Sequence, residues 1–440
     1  MAFGLNRNLN KTMIAHILSI GNELLIGDTV NTNASWIGQF LTAEGFRVQE
    51  IRTLNDEYKA IQEAISGSME RADLVVVTGG LGPTHDDITK AAAADLFGTG
   101  MVSDQGVLEH IEEMFRKRGL QMTESNREQA SIPEGATVLF NRKGTAPGIW
   151  YRHNGSCLVM LPGVPYEMRY LMEKEVKPML DKSFPGRPGR AVRYLKTAGV
   201  AESTLSDLVI GDLSKPLAHG GEVAWLPSPA GVTLRVTGKG ESAEEAEENL
   251  ERVVRYLQEK AGDLIYGEGR ECTLSETVGA LLRERGLEIA VAESCTGGLI
   301  GASLTDAPGS SDYFAGGVVA YENRIKEDLL GVPEEVLKEH GAVSCEVAIR
   351  MADAAADRFG CQIGISTTGI AGPGGGSGEK PVGLVWIGFH FPDARFALKG
   401  QFSGDRFVNR ERSVSVALET VRRHLLQIDP LPYDLRPHYA

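Results

Sequence analysis

Cysteine is scarce in this chain. Five of the 440 residues are cysteines, and no two of them form a CxxC pair. An odd number of scattered cysteines does not support a disulfide framework, and zinc sites use closely spaced pairs. The five are Cys157, Cys272, Cys295, Cys345 and Cys361. The sequence therefore predicts a protein of a reducing compartment, the cytoplasm, with neither disulfides nor a zinc site.

Long apolar segments are also missing. No apolar run in the sequence approaches the roughly 20 residues that cross a bilayer. Residues 1–13, MAFGLNRNLNKTM, lack the apolar core of a signal peptide, so we expect a flexible extension there. The sequence predicts no membrane association.

Positive charge is in deficit. The chain has 59 acidic residues against 45 Lys and Arg, which gives a net charge of -14. Nucleic-acid backbones and anionic membranes attract an excess of positive charge, so this balance argues against both as main partners. We expect small-molecule ligands and no direct contact with nucleic acid.

What remains is an ordinary globular composition, with 42% hydrophobic and 24% charged residues. A chain of this length should form two or three domains. Strands alternate with helices of about a dozen residues in both halves, which predicts an α/β fold. We expect a doubly wound three-layer α/β/α domain first, a small α+β domain after the turn-rich segment 183–189, and a C-terminal α/β domain.

A glycine turn dominates the first domain. Four apolar residues, Leu74 to Val77, predict a buried parallel strand, and Gly79, Gly80 and Gly82 follow before a helix. Such a turn can bind phosphate, and the adjacent Asp86 and Asp87 would require a cation beside it. The alternative is a tight turn in which Asp86 caps the helix.

Two other features flank this turn. Asn31 or Asn33 can cap a helix that runs through Ala43. Glu167 follows a proline-rich strand end and should point back toward the ends of the parallel strands.

Hydroxyl groups cluster in three glycine-containing turns of the C-terminal domain. They belong to Ser294, Thr296, Ser310, Ser311, Thr367 and Thr368. A catalytic serine needs a base, yet the GxSxG motif is absent and the nearby His340 and His390 are poorly placed.

Lysine can replace histidine as the base if burial lowers its pKa. Lys326 could serve, although on the residues alone an exposed helical lysine is favoured, because lysines are seldom buried. Cys295 could be a thiolate nucleophile, but a buried structural cysteine is favoured.

Several motifs together resemble the CinA family of competence/damage-inducible proteins. The segments GNELLIGDTVNTN, TGGLGPTHDDIT and LPGVPYEM resemble its N-terminal domain, which has a molybdopterin-binding fold. AESCTGG, PGSSDYFAGGVVAYENRIK, GAVS and GIAGPGGGSGEKPVG resemble its C-terminal domain, related to nicotinamide mononucleotide amidohydrolases. The resemblance implies domains at 14–182, 190–262 (KH-type) and 270–428, with a tail at 429–440.

The resemblance implies a C-terminal nicotinamide mononucleotide deamidase that needs no cofactor. Ser311 would be the nucleophile and Lys326 its base, with Tyr321 supporting proton transfer. The remaining site residues would be the hydroxyls of Ser294 and Thr368, the backbone at Gly297 and Gly369 against the substrate, and Arg406 or Arg410 at its phosphate. In AYEN, Glu322 replaces the serine of relatives, and its charge would favour the ammonium form of Lys326.

For the N-terminal domain the resemblance implies hydrolysis of ADP-ribose with a divalent metal (Mg or Co) and potassium. Phosphates would be held by Gly79, Gly80, Gly82 and Thr84. Asn31 and Asn33 would line the mouth. The carboxylates available for metal or water would be Asp86, Asp87, Glu167, Glu23 and Asp28.

Two other interpretations stay open. The first half could be a binding module for molybdopterin or another pterin, because one scaffold can serve several functions. The protein could instead act mainly as a partner of the DNA-uptake machinery, as the family name suggests. A homodimer is expected from the family.

Overall fold

A computed structural model describes residues 13–84 and 87–439 of the chain. By their internal contacts these residues divide into two units. The first runs to Ala191 and includes Lys239–Glu248; the second comprises Val192–Gly238 and the chain from Asn249 onward. Most of the predicted middle domain therefore belongs to the second unit, and the three domain boundaries stay predictions.

The first unit contains a six-stranded sheet and a separate strand pair. Its strands are β1 Ile14–Ile20, β2 Arg47–Leu54, β3 Leu74–Thr78, β4 Met101–Ser103, β5 Ser131–Pro133, β6 Thr137–Leu139, β7 Gly148–His153 and β8 Ser156–Leu161. The order is β2-β1-β3-β8-β7-β6, and β4 pairs with β5. β2, β1, β3 and β8 are parallel. Every residue of β3 is buried, as its apolar run predicts.

Helices cover both faces of this sheet. They are α1 Asn22–Leu25, α2 Thr32–Ala43, α3 Tyr58–Arg71, α4 Thr89–Phe97, α5 Gln105–Lys117, α6 Glu124–Glu128, α7 Pro165–Leu171 and α8 Lys177–Ser183. α2 and α7 pack on one face, around Val76, while α3 and α4 pack on the other, around Val75. The predicted three-layer α/β/α architecture is confirmed.

The middle segment forms a four-stranded sheet. Its strands are β9 Gly189–Thr197, β10 Gly221–Ser228, β11 Gly231–Gly240 and β12 Ile265–Glu268, in the order β10-β11-β9-β12. Its helices are α9 Ser214–Leu217 and α10 Ala243–Ala261. A π-helical segment, Thr204–Ile210, precedes α9. The small α+β class is confirmed.

The C-terminal part of the second unit contains another six-stranded sheet. Its strands are β13 Ile289–Glu293, β14 Phe314–Val319, β15 Ile363–Gly369, β16 Leu384–His390, β17 Arg395–Gln401 and β18 Pro437–His438. The order is β14-β13-β15-β16-β17-β18. β13 is parallel to β14 and β15, whereas β16 pairs antiparallel with β15 and β17.

Two helical layers enclose this sheet. The helices are α11 Leu274–Arg285, α12 Leu299–Asp306, α13 Asn323–Asp328, α14 Glu334–His340, α15 Cys345–Phe359 and α16 Arg406–Leu426. α11, α12 and α16 pack on the face that contains Val291, and α15 packs against Ala290 on the other. The α/β class is confirmed. No helix in the described part of the chain is long and apolar enough to cross a bilayer.

β14 contains two adjacent glycines, Gly316 and Gly317. The strand begins at Phe314. Gly316 and Gly317 interrupt its apolar sequence pattern but do not end the strand. Both glycines are needed for packing: a Cβ on Gly316 would collide with the ring of Phe359, and one on Gly317 with Val291. The turn Ser310–Asp312 therefore precedes β14, and α13 follows it.

Candidate active sites

The C-terminal candidate site lies at the carboxyl ends of three parallel strands. β13 ends at Glu293 and leads directly to Ser294, whose N–H donates to Thr367 O in β15 at 2.9 Å. α13 follows β14 and carries Lys326. Ligands of open α/β sheets bind at this edge.

Lys326 is the central group of this site. Its side chain is only 1% exposed, so the expectation of an exposed helical lysine is wrong. Nζ donates to Ser294 Oγ at 3.1 Å, to Ala320 O at 2.8 Å and to Tyr321 O at 3.4 Å. Burial lowers the pKa of Lys326, with a smaller opposing effect of Cys295. A lowered pKa favours the neutral amine that a general base requires.

Glu293 fixes the turn that carries Ser294, and sequence reasoning did not identify it. Its carboxylate is 1% exposed and accepts from the N–H groups of Gly298 at 3.0 Å, Ile300 at 3.1 Å and Gly301 at 2.8 Å. The carboxylate thereby satisfies the free N–H groups at the start of α12. An acid directly before a glycine-rich turn was the available signal.

Two arginines from the first turns of α16 reach the same edge. Arg410 donates through Nε and Nη2 to Thr296 O, at 3.1 and 2.6 Å, and so holds the Ser294 turn. Arg406 is exposed; it donates to Gly372 O at 2.8 Å and to the Tyr321 hydroxyl at 2.9 Å. The structure therefore brings Ser294, Lys326, Tyr321 and both arginines together.

Ser311 lies elsewhere in the same chain. It belongs to a short 3-10 turn, Ser310–Asp312, that precedes β14, whereas Lys326 follows that strand. The strand alone spans about 17 Å at 3.3 Å per residue. Within one chain, Lys326 is therefore paired with Ser294, and Ser311 lies at the other end of β14.

The other predicted contact residues are partly engaged. Thr368 is buried and donates to Ala342 O at 2.6 Å. The Gly297 N–H donates to Ser294 O at 3.1 Å, so it already has an acceptor. Gly369 ends β15, beside Val385.

The nearby thiol and imidazoles do not join the site. Cys295 is buried, as expected, and burial raises the pKa of its thiol to about 12, which disfavours the thiolate. His390 pairs with Asp353 at 2.6 Å, and His340 ends α14.

The N-terminal candidate site surrounds the glycine turn after β3. Gly79 and Gly80 have positive φ angles of 107° and 67°. A Cβ would collide with Ile20 O at the first and with the Thr89 hydroxyl at the second. Only glycine fits both constraints, so the turn brings backbone close to the ends of the strands.

A cavity of about 370 Å³ opens beside this turn. Its wall includes the acidic side chains of Glu23, Asp56, Asp87 and Glu167. Asp87 Oδ2 accepts from the Thr84 N–H at 2.8 Å and hydroxyl at 2.5 Å, which closes the turn. These Thr84 groups therefore already have an acceptor in Asp87.

Buried polar groups support the cavity from behind. Glu167 accepts from Asn141 Nδ2 at 2.6 Å, and burial raises the pKa of its carboxyl. Lys90 is buried and donates to Gln129 O at 3.1 Å. Burial lowers the pKa of Lys90 to about 8, with Asp87 opposing this shift. Neither Asn141 nor Lys90 was identified from the sequence.

The asparagines near the mouth have separate roles. Asn31 caps α2, since its side chain accepts from the Ala34 N–H at 3.0 Å. Asn33 Nδ2 donates to Gly163 O at 2.7 Å.

The carboxylates near the N-terminal cavity are the donors available to a metal ion. Asp86 lies outside the described residues, and Asp28 is exposed and away from the cavity wall. Within residues 13–84 and 87–439, no three His, Cys, Asp or Glu side chains are close enough to hold a metal ion. Asp87 and Glu167 do line one cavity, and magnesium is commonly held by one or two carboxylates plus substrate phosphates. The donors therefore fit a divalent ion that binds together with a phosphate ligand.

Three family models match the chain. They are the probable molybdopterin binding domain over residues 16–182, the damage-inducible protein CinA KH domain over 192–267, and the CinA C-terminal domain over 271–425. A CinA-like protein of Chloroherpeton thalassium is 44% identical over 423 residues, which cover 94% of this chain and 99% of that protein. The chain belongs to the CinA family. The resemblance inferred from the motifs is thereby confirmed.

One further relative matches the chain over nearly its full length, and a solved structure matches part of it. A CinA-like protein of Salinibacter ruber is 44% identical over 414 residues, covering 94% of this chain and 100% of that protein. A crystal structure of the protein CinA from Thermoplasma acidophilum is 37% identical, with a TM-score of 0.36. It covers 38% of this chain and 98% of that one.

Proposed function

We propose that the C-terminal domain is an amidohydrolase that converts nicotinamide mononucleotide to nicotinate mononucleotide and ammonia. The observation that carries this proposal is the buried amine of Lys326, 3.1 Å from the Ser294 hydroxyl. Serine paired with a lysine of lowered pKa is an established alternative to serine paired with histidine. The substrate class comes from the resemblance of the motifs.

Neutral Lys326 would take the proton of Ser294 as Oγ attacks the carboxamide carbon. The tetrahedral intermediate would then expel ammonia, which receives the proton from the Lys326 ammonium. The resulting ester would be hydrolysed by water, with the same amine as base. The products are a carboxylate, ammonia and free enzyme.

The substrate phosphate would bind at the start of α16. Arg406 is exposed there and supplies the positive charge with which a phosphate would pair. Tyr321 is 58% exposed and bonded to Arg406, so it would lie between the phosphate and the amide. Arg410 would instead hold the Ser294 turn.

Ammonia release from nicotinamide mononucleotide by the purified protein tests this proposal. Ser294→Ala should abolish it, while Ser311→Ala should leave it near the wild-type rate. The opposite result would assign the nucleophile to Ser311, as the family resemblance implies.

In a homodimer, the alternative nucleophile Ser311 of one subunit could approach Lys326 of the other subunit. β14 is an edge strand of its sheet. It contains neither the charged residues nor the proline that commonly prevent edge strands from pairing. Antiparallel pairing of two copies would place the start of one β14 beside the end of the other. Ser311 of the partner subunit would then approach the Lys326 site.

Mixing two inactive variants tests this arrangement in trans. If Ser311→Ala is inactive, equimolar Ser311→Ala and Lys326→Met chains should together regain part of the ammonia release. A fully active Ser311→Ala protein, or no recovery on mixing, would exclude it.

We propose that the N-terminal domain hydrolyses the pyrophosphate of ADP-ribose to AMP and ribose 5-phosphate. The glycine turn with Asp87 and Glu167 on one cavity supports a phosphate ligand bound with a cation. A divalent ion there, with potassium, would neutralise phosphate charge during hydrolysis. Asp87 and Glu167 would hold it, and the backbone at Gly79 to Gly82 would orient the phosphates.

ADP-ribose cleavage with added magnesium or cobalt tests the second activity. A pterin phosphate is the competing ligand, and calorimetric saturation by the pterin alone would make this half a binding module. Both proposed ligands are small nucleotides, which agrees with a cytoplasmic salvage role and with no direct nucleic-acid contact.

A further inference from the structure

The cavity beside the glycine turn continues into a second, smaller one. The second has a volume of about 140 Å³ and shares four wall residues with the first: Ile20, Glu23, Gly79 and Gly163. The two cavities therefore adjoin each other at the glycine turn and form one groove, with Gly79 in the wall of both. A ligand that places phosphates at the glycine turn would extend in both directions.

The larger end of the groove contains an unsatisfied buried amide. Gln129 is 2% exposed and lines this cavity. Its Oε1 has no hydrogen-bond donor among the residues that the structure describes. Its backbone oxygen accepts from Lys90 Nζ at 3.1 Å, so the residue is anchored while its side-chain acceptor is unsatisfied.

The smaller end contains a second unsatisfied acceptor. Asn33 Nδ2 donates to Gly163 O at 2.7 Å, and since a carbonyl can only accept, this bond fixes the orientation of the amide. The atom left over is Oδ1, which is buried and finds no donor in the described part of the chain. Asn33 lines the smaller cavity.

We propose that Gln129 and Asn33 are specificity residues that recognise the two ends of one elongated ligand. Each accepts a hydrogen bond from a sugar hydroxyl or an amino group, while the phosphates lie between them at the glycine turn. A diphosphate flanked by two sugars has this form. The inference rests on the proposed phosphate site but not on hydrolysis.

Recognition by a buried acceptor predicts a selective loss of affinity. A site built to bond a donor discriminates strongly against ligands that lack it. Gln129→Met keeps the length of the side chain and removes the acceptor, whereas Gln129→Glu retains an acceptor. Gln105→Met, on the exposed surface of α5, is the matched control.

The test is calorimetric titration of the full-length variants with ADP-ribose, as its methylene-bridged analogue that cannot be cleaved, and with inorganic pyrophosphate, in the same magnesium buffer. We expect wild-type protein to bind ADP-ribose more tightly than pyrophosphate. Gln129→Met should weaken ADP-ribose binding by about tenfold or more and leave pyrophosphate binding unchanged. Its Tm should not fall, because an unpaired buried acceptor does not stabilise the fold. Gln129→Glu should retain part of the preference for ADP-ribose over pyrophosphate.

The outcomes separate this inference from the proposed activity. ADP-ribose that is bound selectively but not cleaved would reject the hydrolase and support the recognition residues. Cleavage with unchanged ADP-ribose affinity in Gln129→Met would overturn the inference and leave the hydrolase standing. Equal affinity of wild-type protein for both ligands, or binding of neither, would also overturn it.

Discussion

Lys326 Nζ lies 3.1 Å from Ser294 Oγ, although Ser294 directly follows β13 and Lys326 lies in α13, after β14. Two adjacent parallel strands, β13 and β14, bring them to one edge. The pair is buried, and its lysine has a lowered pKa because of that burial. This relationship supplies a base and a hydroxyl without a histidine.

The first prediction concerns pH. Lys326 can act as a base only when neutral, and burial lowers its pKa, so the neutral fraction grows as pH rises through that lowered value. We expect kcat/KM for ammonia release to rise with pH and to level off below the ordinary pKa of lysine. A rate that keeps rising through the ordinary lysine range would show that Lys326 is not the titrating base.

The second prediction concerns Glu293→Gln. The Glu293 carboxylate accepts three backbone N–H bonds through two charged oxygens. The neutral amide of Gln has only one acceptor oxygen, and its NH₂ group would face backbone N–H donors. We expect a loss of about 1.5–3 kcal/mol in the free energy of unfolding. The turn that carries Ser294 should loosen, so kcat should fall more than KM rises.

Chemical denaturation and steady-state kinetics measure this pair of effects. Glu288→Gln is the control, because Glu288 is exposed just before the other end of β13. If Glu293→Gln matched that control in stability and kcat, the carboxylate would have no role in positioning the turn.

The third prediction separates the two arginines. Arg406 is exposed at the start of α16, so Arg406→Met should raise KM for nicotinamide mononucleotide about tenfold and leave nicotinamide riboside unaffected. Arg410 holds Thr296 O, so Arg410→Met should lower kcat for both substrates.

Parallel assays of the phosphorylated and unphosphorylated substrates check this division. Arg350→Met, on the exposed side of α15, should change neither parameter. If Arg406→Met changed KM equally for both substrates, Arg406 would not be the residue that binds the phosphate.

The fourth prediction concerns the N-terminal site. Asp87→Asn removes a carboxylate from the cavity but keeps a side-chain acceptor for the Thr84 groups. We expect metal-dependent ADP-ribose cleavage to fall by about 10²-fold or more. Ammonia release should be unchanged in the same preparation, and Lys326→Met should show the reverse pattern. Loss of both activities in either variant would contradict two independent sites.

The sequence predicted those elements whose signals are local. The apolar run at Leu74–Val77 is a fully buried strand because a strand covered on both faces needs no alternation. Asn31 caps α2 because a short acceptor before the helix can reach its first N–H groups.

Burial of single polar groups could not be predicted from local sequence. Lys326 has charged neighbours, Arg324, Glu327 and Asp328, which indicate an exposed helix. It is buried because a short α13 directly follows β14 and turns this one side chain toward the strand ends. Gln129 likewise lies in an unremarkable polar segment, and only the tertiary fold places it in the groove.

The most direct test of the central claim is ammonia release from nicotinamide mononucleotide by wild-type protein and by Lys326→Met. We predict that the variant loses about 10²-fold or more, the usual contribution of a general base. Lys338→Met is the control, since Lys338 is 69% exposed and paired with Glu334, and it should retain the full rate. Undiminished ammonia release by Lys326→Met would contradict the account.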